Sequence, residues 1–174
     1  VLDPDGSDSA RLDNCLEFLV LNGIPLPMAV MITIPEPWEN DRAMSQEKKD
    51  FYQYYATMME PWDGPASILF TDGELMGAVL DRNGLRPSRY YITDDDYLVL
   101  SSEVGVLDVD PSKIVKKDRL RPGKMLLVDT VNGRLISDEE IKEKYALAKP
   151  YGEWVDSNLV HLADLKIPNI RVQE

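Results

Sequence analysis

Between residues 66 and 136 the chain repeats one device three times: a short apolar run, a turn rich in Asp, Asn or Gly, and a second short run. Ala66–Phe70 and Leu75–Leu80 flank Thr71-Asp72-Gly73-Glu74. Arg89–Ile92 and Tyr97–Leu100 flank Asp94-Asp95-Asp96, and Met125–Val128 and Arg134–Ile136 flank Asn132-Gly133. Asp-Gly and Asn-Gly tolerate the positive φ that tight hairpins demand. A chain that reverses this quickly builds antiparallel sheet, because parallel neighbours need a crossover of a dozen or more residues.

Elsewhere the apolar period is helical. Gly6-Ser7-Asp8-Ser9 offers N-cap residues ahead of Leu12, Cys15, Leu16, Leu19 and Val20, which share one helical face, and Asn22-Gly23 is a stop signal. A second helix is predicted over 26–31, with Pro in its first turn. A third begins near Ser45, carries Phe51, Tyr54, Tyr55, Met58 and Met59 at helical spacing, and ends at Pro61. Ser137 and Glu140 form a capping box for a short helix with Ile141 and Tyr145, closed by Pro150. From Tyr151 onward the sequence reads as an irregular tail anchored by Trp154, Leu162 and Leu165. Helices segregated from hairpins define an α+β layered domain with antiparallel sheets.

Composition narrows function mainly by exclusion. The net charge of −12 repels phosphate backbones and anionic lipids, so nucleic acid and membrane are poor partners. The longest apolar run, 24–34, is short and broken by Pro25 and Pro27. A single cysteine, Cys15, excludes an internal disulfide and fits a reducing cytoplasm. A single histidine, His161, leaves no multi-His metal site, and no phosphate-binding Gly-rich fingerprint occurs.

Five segments together carry a resemblance. They are Gly6-Ser7-Asp8-Ser9-Ala10 with Leu12-Asp13-Asn14, Met59-Glu60-Pro61-Trp62-Asp63-Gly64-Pro65-Ala66, Asp81-Arg82-Asn83-Gly84-Leu85-Arg86-Pro87-Ser88-Arg89-Tyr90, Ser102-Glu103-Val104-Gly105-Val106-Leu107-Asp108 and Pro150-Tyr151-Gly152-Glu153-Trp154. In this order they resemble the glutamine amidotransferase domain of glutamate synthases, a class II amidotransferase. The resemblance implies the N-terminal-nucleophile αββα fold, here partial: residues 1–165 correspond to the C-terminal portion of that domain, and 166–174 form an irregular tail. It also implies L-glutamine as substrate, attacked by an N-terminal cysteine whose α-amino group is the base, with an Asn-Gly oxyanion pair. The family's further cofactors are FMN and an iron–sulfur cluster; this chain is expected to hold neither.

Asp8 is the one residue carried over as a substrate contact, matching the family aspartate that pairs with the glutamine ammonium. The competing reading is a plain N-cap, a role Ser7 or Ser9 could also fill. Cys15 is rejected as nucleophile because an internal cysteine has no free α-amino group, and its place on an apolar helical face suits a small hydrophobe. Asn83-Gly84 reads as a tight turn with positive φ at Gly84 rather than as the oxyanion pair. Arg82, Arg86 and Arg89 read as structural ion-pair partners, with Glu103 expected to pair with one of them. Trp62, Tyr54 and Tyr55 read as packing aromatics, and His161 as exposed or structural.

The family's cysteine, substrate arginine and oxyanion segment would all precede Gly6, so the chain alone is expected to be inactive, a part of a longer synthase located in the cytoplasm or, in a eukaryote, an organelle. Open strand edges favour self-association. A stand-alone, catalytically dead module that binds a partner subunit is the alternative. The electron donor of the parent is not encoded in these segments.

Overall fold

A computed structural model describes residues 2–165; the tail expected over 166–174 lies outside them. Three helices come first: α1 (Asp8–Leu21), α2 (Leu26–Thr33) and α3 (Gln46–Ala56). Seven strands follow, β1 (Ser67–Thr71), β2 (Leu75–Leu80), β3 (Arg89–Thr93), β4 (Leu98–Ser101), β5 (Ile114–Arg119), β6 (Met125–Asp129) and β7 (Arg134–Ile136). Helices α4 (Asp138–Ala146) and α5 (Tyr151–Asn158) follow, and short 3-10 turns lie at Pro111–Lys113 and Leu162–Asp164.

Every strand pair is antiparallel. One sheet runs β1-β2-β6-β7 and the other β4-β3-β5. Alternation decides the layering. Phe70, Val79, Met125 and Leu127 of the four-stranded sheet pack with the helices in the larger core. Their neighbours Ala78, Leu80 and Leu126 point the other way and meet Tyr90 and Leu120, with Ile92, Leu98 and Leu100 around them. The result is helices, then a four-stranded sheet, then a three-stranded sheet.

Helix α2 is the hub of the larger core, with Ala29 and Val30 wholly buried. It runs two residues past its expected end, and the Thr33 hydroxyl bonds the Ala29 carbonyl at 2.9 Å as it finishes. Helix α1 ends as expected: Gly23 sits at φ +85°, Gly23 N–H donates to Val20 O and Ile24 N–H to Leu19 O. Helix α3 stops at Ala56, five residues before Pro61, because the Thr57 hydroxyl caps the Tyr54 carbonyl at 2.7 Å. The capping box at α4 is half formed. Ser137 Oγ accepts from Glu140 N–H at 3.2 Å, but the Glu140 carboxylate turns to Arg134.

Two elements correct the sequence reading. Strand β5 has no apolar alternation, since five of its six residues are exposed. It exists as an edge strand satisfying the backbone of β3. Residues 151–158 are helix α5, not irregular tail. Tyr151 is 1% exposed and stacks edge-on against Phe51 at 5.3 Å. Gly152 permits this approach: a Cβ there would lie 2.4 Å from the Asp50 carboxylate.

Sequence reading also missed a buried ionic cluster. Lys142, 2% exposed, donates to Asp138 at 2.8 Å, Glu36 at 3.1 Å and the Gly123 carbonyl at 2.7 Å. Lys124 donates to Asp138 at 2.8 Å, and the Tyr52 hydroxyl donates to Glu36 at 3.1 Å. Burial alone would raise the Asp138 carboxyl pKa, but Lys142, Lys124 and the Met125 N–H outweigh it and hold it below the usual range. Stability from this group is therefore complete at neutral pH and lost as pH falls through its depressed folded pKa.

Candidate active-site cleft

The first turn of α1 is fixed from both sides. Ser7 Oγ accepts the Ala10 N–H at 3.3 Å, and the Arg11 guanidinium donates to the carbonyls of Asp3 and Pro4. Ser7, not Asp8, is thus the N-cap. Asp8 is the first helical residue, exposed and at the positive end of the helix dipole.

Asp8 opens onto a cleft of about 730 Å³. It is lined by Trp62, Pro65–Leu69, Arg86, Pro87 and Ser88, with the end of β4, Leu100–Ser102. Asp8 and Trp62 also border a second cleft of about 470 Å³ that contains Cys15 and Thr33. The Cys15 thiol is only partly buried there, and burial pushes its pKa up, away from the thiolate a nucleophile requires.

The wall carrying Arg86 is shaped by Asp81, which sequence reading did not single out. Its buried carboxylate accepts from Ala66 N–H at 3.0 Å, Asn83 N–H at 2.9 Å and Gly84 N–H at 3.1 Å. Burial alone would raise its pKa; the three amides more than offset that and hold it below the usual carboxylate range. Asp81 followed three residues later by Gly84 is an Asx-turn pattern, a signal that was available. Gly84 lies at φ +60°, and a Cβ on it would fall 2.5 Å from Pro122. Gly84→Ala should cost about 1–3 kcal/mol in thermal unfolding, through strain and that clash.

The motif residues do not stay together. Arg82 pairs with Asp63 at 3.1 Å, both side chains well exposed, clipping the 81–84 turn to the 62–65 loop. Arg86 lines the cleft with Asp8 and makes no ion pair among the described residues. Glu103 does not pair with Arg82, Arg86 or Arg89: its N–H bonds Ser101 Oγ at 3.2 Å, and it borders a different pocket. The geometric reason is the turn after β4, which carries Glu103 past the cleft. Trp62 combines packing with a place on both clefts, its indole N–H donating to the Gly64 carbonyl at 3.0 Å. Ser88 is 4% exposed on the cleft wall, and its hydroxyl makes no hydrogen bond with any described group. No sequence signal marked it. No group of three His, Cys, Asp or Glu side chains suited to a metal occurs among the described residues, and none of their helices is long and apolar enough to cross a membrane.

The fold is layered antiparallel sheets with helices on one side, and comparison with known proteins places the chain in a family. The family model for class II glutamine amidotransferases matches residues 1–154, and the chain belongs to that family. Within it, the chain is 53% identical over 162 residues to the "Glutamate synthase [NADPH] large chain" of Bacillus subtilis, covering 93% of this chain and 11% of that one. It is 49% identical over 163 residues to the "Glutamate synthase [NADH]" of Schizosaccharomyces pombe, covering 93% and 8%. A ferredoxin-dependent glutamate synthase of Arabidopsis thaliana is 44% identical over 174 residues, covering 98% and 11%. The chain spans about a tenth of the length of these relatives.

Proposed function

We propose that the chain is part of the glutaminase domain of a glutamate synthase. The whole polypeptide hydrolyses L-glutamine and adds the ammonia reductively to 2-oxoglutarate. In this reading an N-terminal cysteine thiolate attacks the glutamine side-chain amide, its α-amino group carries the proton, ammonia leaves, and water releases glutamate from the acyl-enzyme. Asp8 accepts the α-ammonium group of glutamine in the cleft. The observation that supports this is the division of labour at the start of α1: Ser7 caps the helix, so the Asp8 carboxylate is not spent on backbone N–H groups. Arg82 and Gly84 shape the turn that leads into the cleft wall, and Arg86 lines that wall.

The 174 residues contain one cysteine, and it lies inside α1, so the chain by itself is proposed to hydrolyse no glutamine. The same count means these residues do not fit an iron–sulfur cluster, which needs several thiolates, and no reaction step is assigned to one here. Similarity at 44–53% identity to relatives named for NADPH, NADH and ferredoxin supports an electron donor chosen elsewhere in the polypeptide.

The test is Asp8→Asn in the intact polypeptide. With one charge-assisted bond lost, kcat/KM for glutamine should fall roughly 10- to 150-fold, mainly through KM, while synthesis from added ammonia is unchanged. Ser7→Ala should do the reverse, losing about 1 kcal/mol of stability with KM for glutamine unaltered. Equal KM for Asp8→Asn and wild type would sink the assignment.

A further inference from the structure

The chain has three Asn-Gly pairs, Asn22-Gly23, Asn83-Gly84 and Asn132-Gly133, and the glutamine chemistry uses none of the asparagines. An asparagine before glycine is open to attack by its own backbone. The glycine nitrogen adds to the side-chain amide carbon, and with no Cβ on the glycine nothing hinders the approach. That nitrogen is available only when its N–H is not held in a hydrogen bond, so the fold decides which pair reacts.

Two of the pairs are held. Gly23 N–H donates to the Val20 carbonyl at 2.9 Å, and Asn22 Nδ2 to the Phe18 carbonyl at 2.7 Å. Gly84 N–H donates to the Asp81 carbonyl at 3.0 Å and to the Asp81 carboxylate at 3.1 Å, under the Pro122 ring.

The third pair differs. Asn132 and Gly133 are exposed in the turn between β6 and β7. Thr130 N–H donates to the Glu74 carbonyl at 2.9 Å, and the N–H groups of Val131 and Asn132 donate to Asp129 Oδ1 at 3.0 and 2.9 Å. Gly133 N–H has no acceptor among the described residues, and a Cβ built on Gly133 would meet nothing within 4 Å. The turn thus fixes its other amides and leaves this nitrogen bare and uncrowded. Asn132 Nδ2 donates to Asp129 Oδ2 at 2.7 Å, an exposed bond that water replaces at little cost when the side chain swings toward Gly133.

We propose that Asn132 is a self-modification site. Gly133 N bonds to Asn132 Cγ, the Cγ–Nδ2 bond breaks, and ammonia leaves with the proton from Gly133 N. The cyclic imide that remains takes up one water and opens to aspartate, or to isoaspartate, in which the main chain runs through the side-chain carbon. No electrons are transferred, and water is the only co-reactant. Either product replaces a donor to Asp129 by a second carboxylate beside it. The isoaspartyl form also lengthens the backbone leading into β7, a three-residue strand paired only with β6 among the described strands. The reaction involves no group of the glutamine cleft, so it stands or falls apart from the glutaminase reading.

The experiment ages the intact polypeptide in heavy-oxygen water at mildly alkaline pH and reads each asparagine by tryptic mass spectrometry. Cleavage after Lys and Arg, with the Arg86-Pro87 bond resistant, puts the three pairs on separate peptides, 12–42, 83–89 and 125–134. The heavy oxygen marks conversion that preceded digestion. In the folded protein Asn132 is expected to convert at least several-fold faster than Asn22 and Asn83, giving both aspartate and isoaspartate. In a parallel sample unfolded in guanidinium chloride the three rates should converge, because only folding separates them. Asn132 unconverted in the folded protein, or Asn22 or Asn83 keeping pace with it, would overturn the proposal. Aspartate without isoaspartate would do so too, since direct hydrolysis gives aspartate alone. An equal spread of rates in the unfolded sample would assign the difference to local sequence and overturn it as well.

Discussion

Lys142→Met is expected to destabilise the chain by about 3–5 kcal/mol, the usual cost of removing one partner from a buried ion cluster. The lysine Nζ spends its three protons on Asp138, Glu36 and the Gly123 carbonyl. Without it two carboxylates at 8% exposure share Lys124, which is partly exposed and also faces Glu139 at 3.6 Å. The cluster ties α4 to the turn before β6 and to the loop after α2, so the loss should be global rather than local. Urea unfolding, with midpoint and slope fitted together, measures it. Adding Glu36→Gln to Lys142→Met removes the surplus negative charge and should recover part of the loss. A single-variant loss under about 1 kcal/mol would mean that water reaches the cluster and screens it.

Phe51→Ala is expected to cost about 3–5 kcal/mol, for lost transfer energy and the cavity left behind. The ring is wholly buried and sits at 5.3 Å from Tyr52, 4.9 Å from Tyr55 and 5.3 Å from Tyr151. It is one of the aromatic contacts joining α3 to α5, beside those of Tyr54 and Tyr55 with Tyr151 and of Tyr54 with Trp154. Limited proteolysis should therefore cut between α4 and α5 faster in the variant, before global unfolding. Unchanged protection of that connection would show that the contacts of Tyr54 and Tyr55 with Tyr151, and of Tyr54 with Trp154, hold α5 without Phe51.

Local signals were read correctly where they were chemically complete. The three hairpins, the start of α1 within 6–9 and the Gly23 stop each depend on residues within a few positions of one another. A turn or cap satisfies its own backbone groups, so distant chain cannot easily overrule it. The α+β class and the antiparallel pairing followed from those signals. So did the family, because its segments are recognisable in order.

What the sequence did not determine was everything decided by contact between distant segments. Strand β5, reading Ile-Val-Lys-Lys-Asp-Arg, is polar enough to pass for a loop; it is a strand because β3 needs a partner. Helix α5 is only eight residues long, too short to persist alone, and is helical because Tyr151 and Trp154 have α3 to pack on. The charges of Glu36, Lys124, Asp138 and Lys142 look like ordinary surface until three separate segments bury them together. Asp8 itself was legible as a helix-start carboxylate, but its freedom from capping, its cleft and the Asp81-built wall arise only on folding. A cap or turn is written in adjacent residues; a buried charge, an edge strand and a cleft require the chain to have met itself.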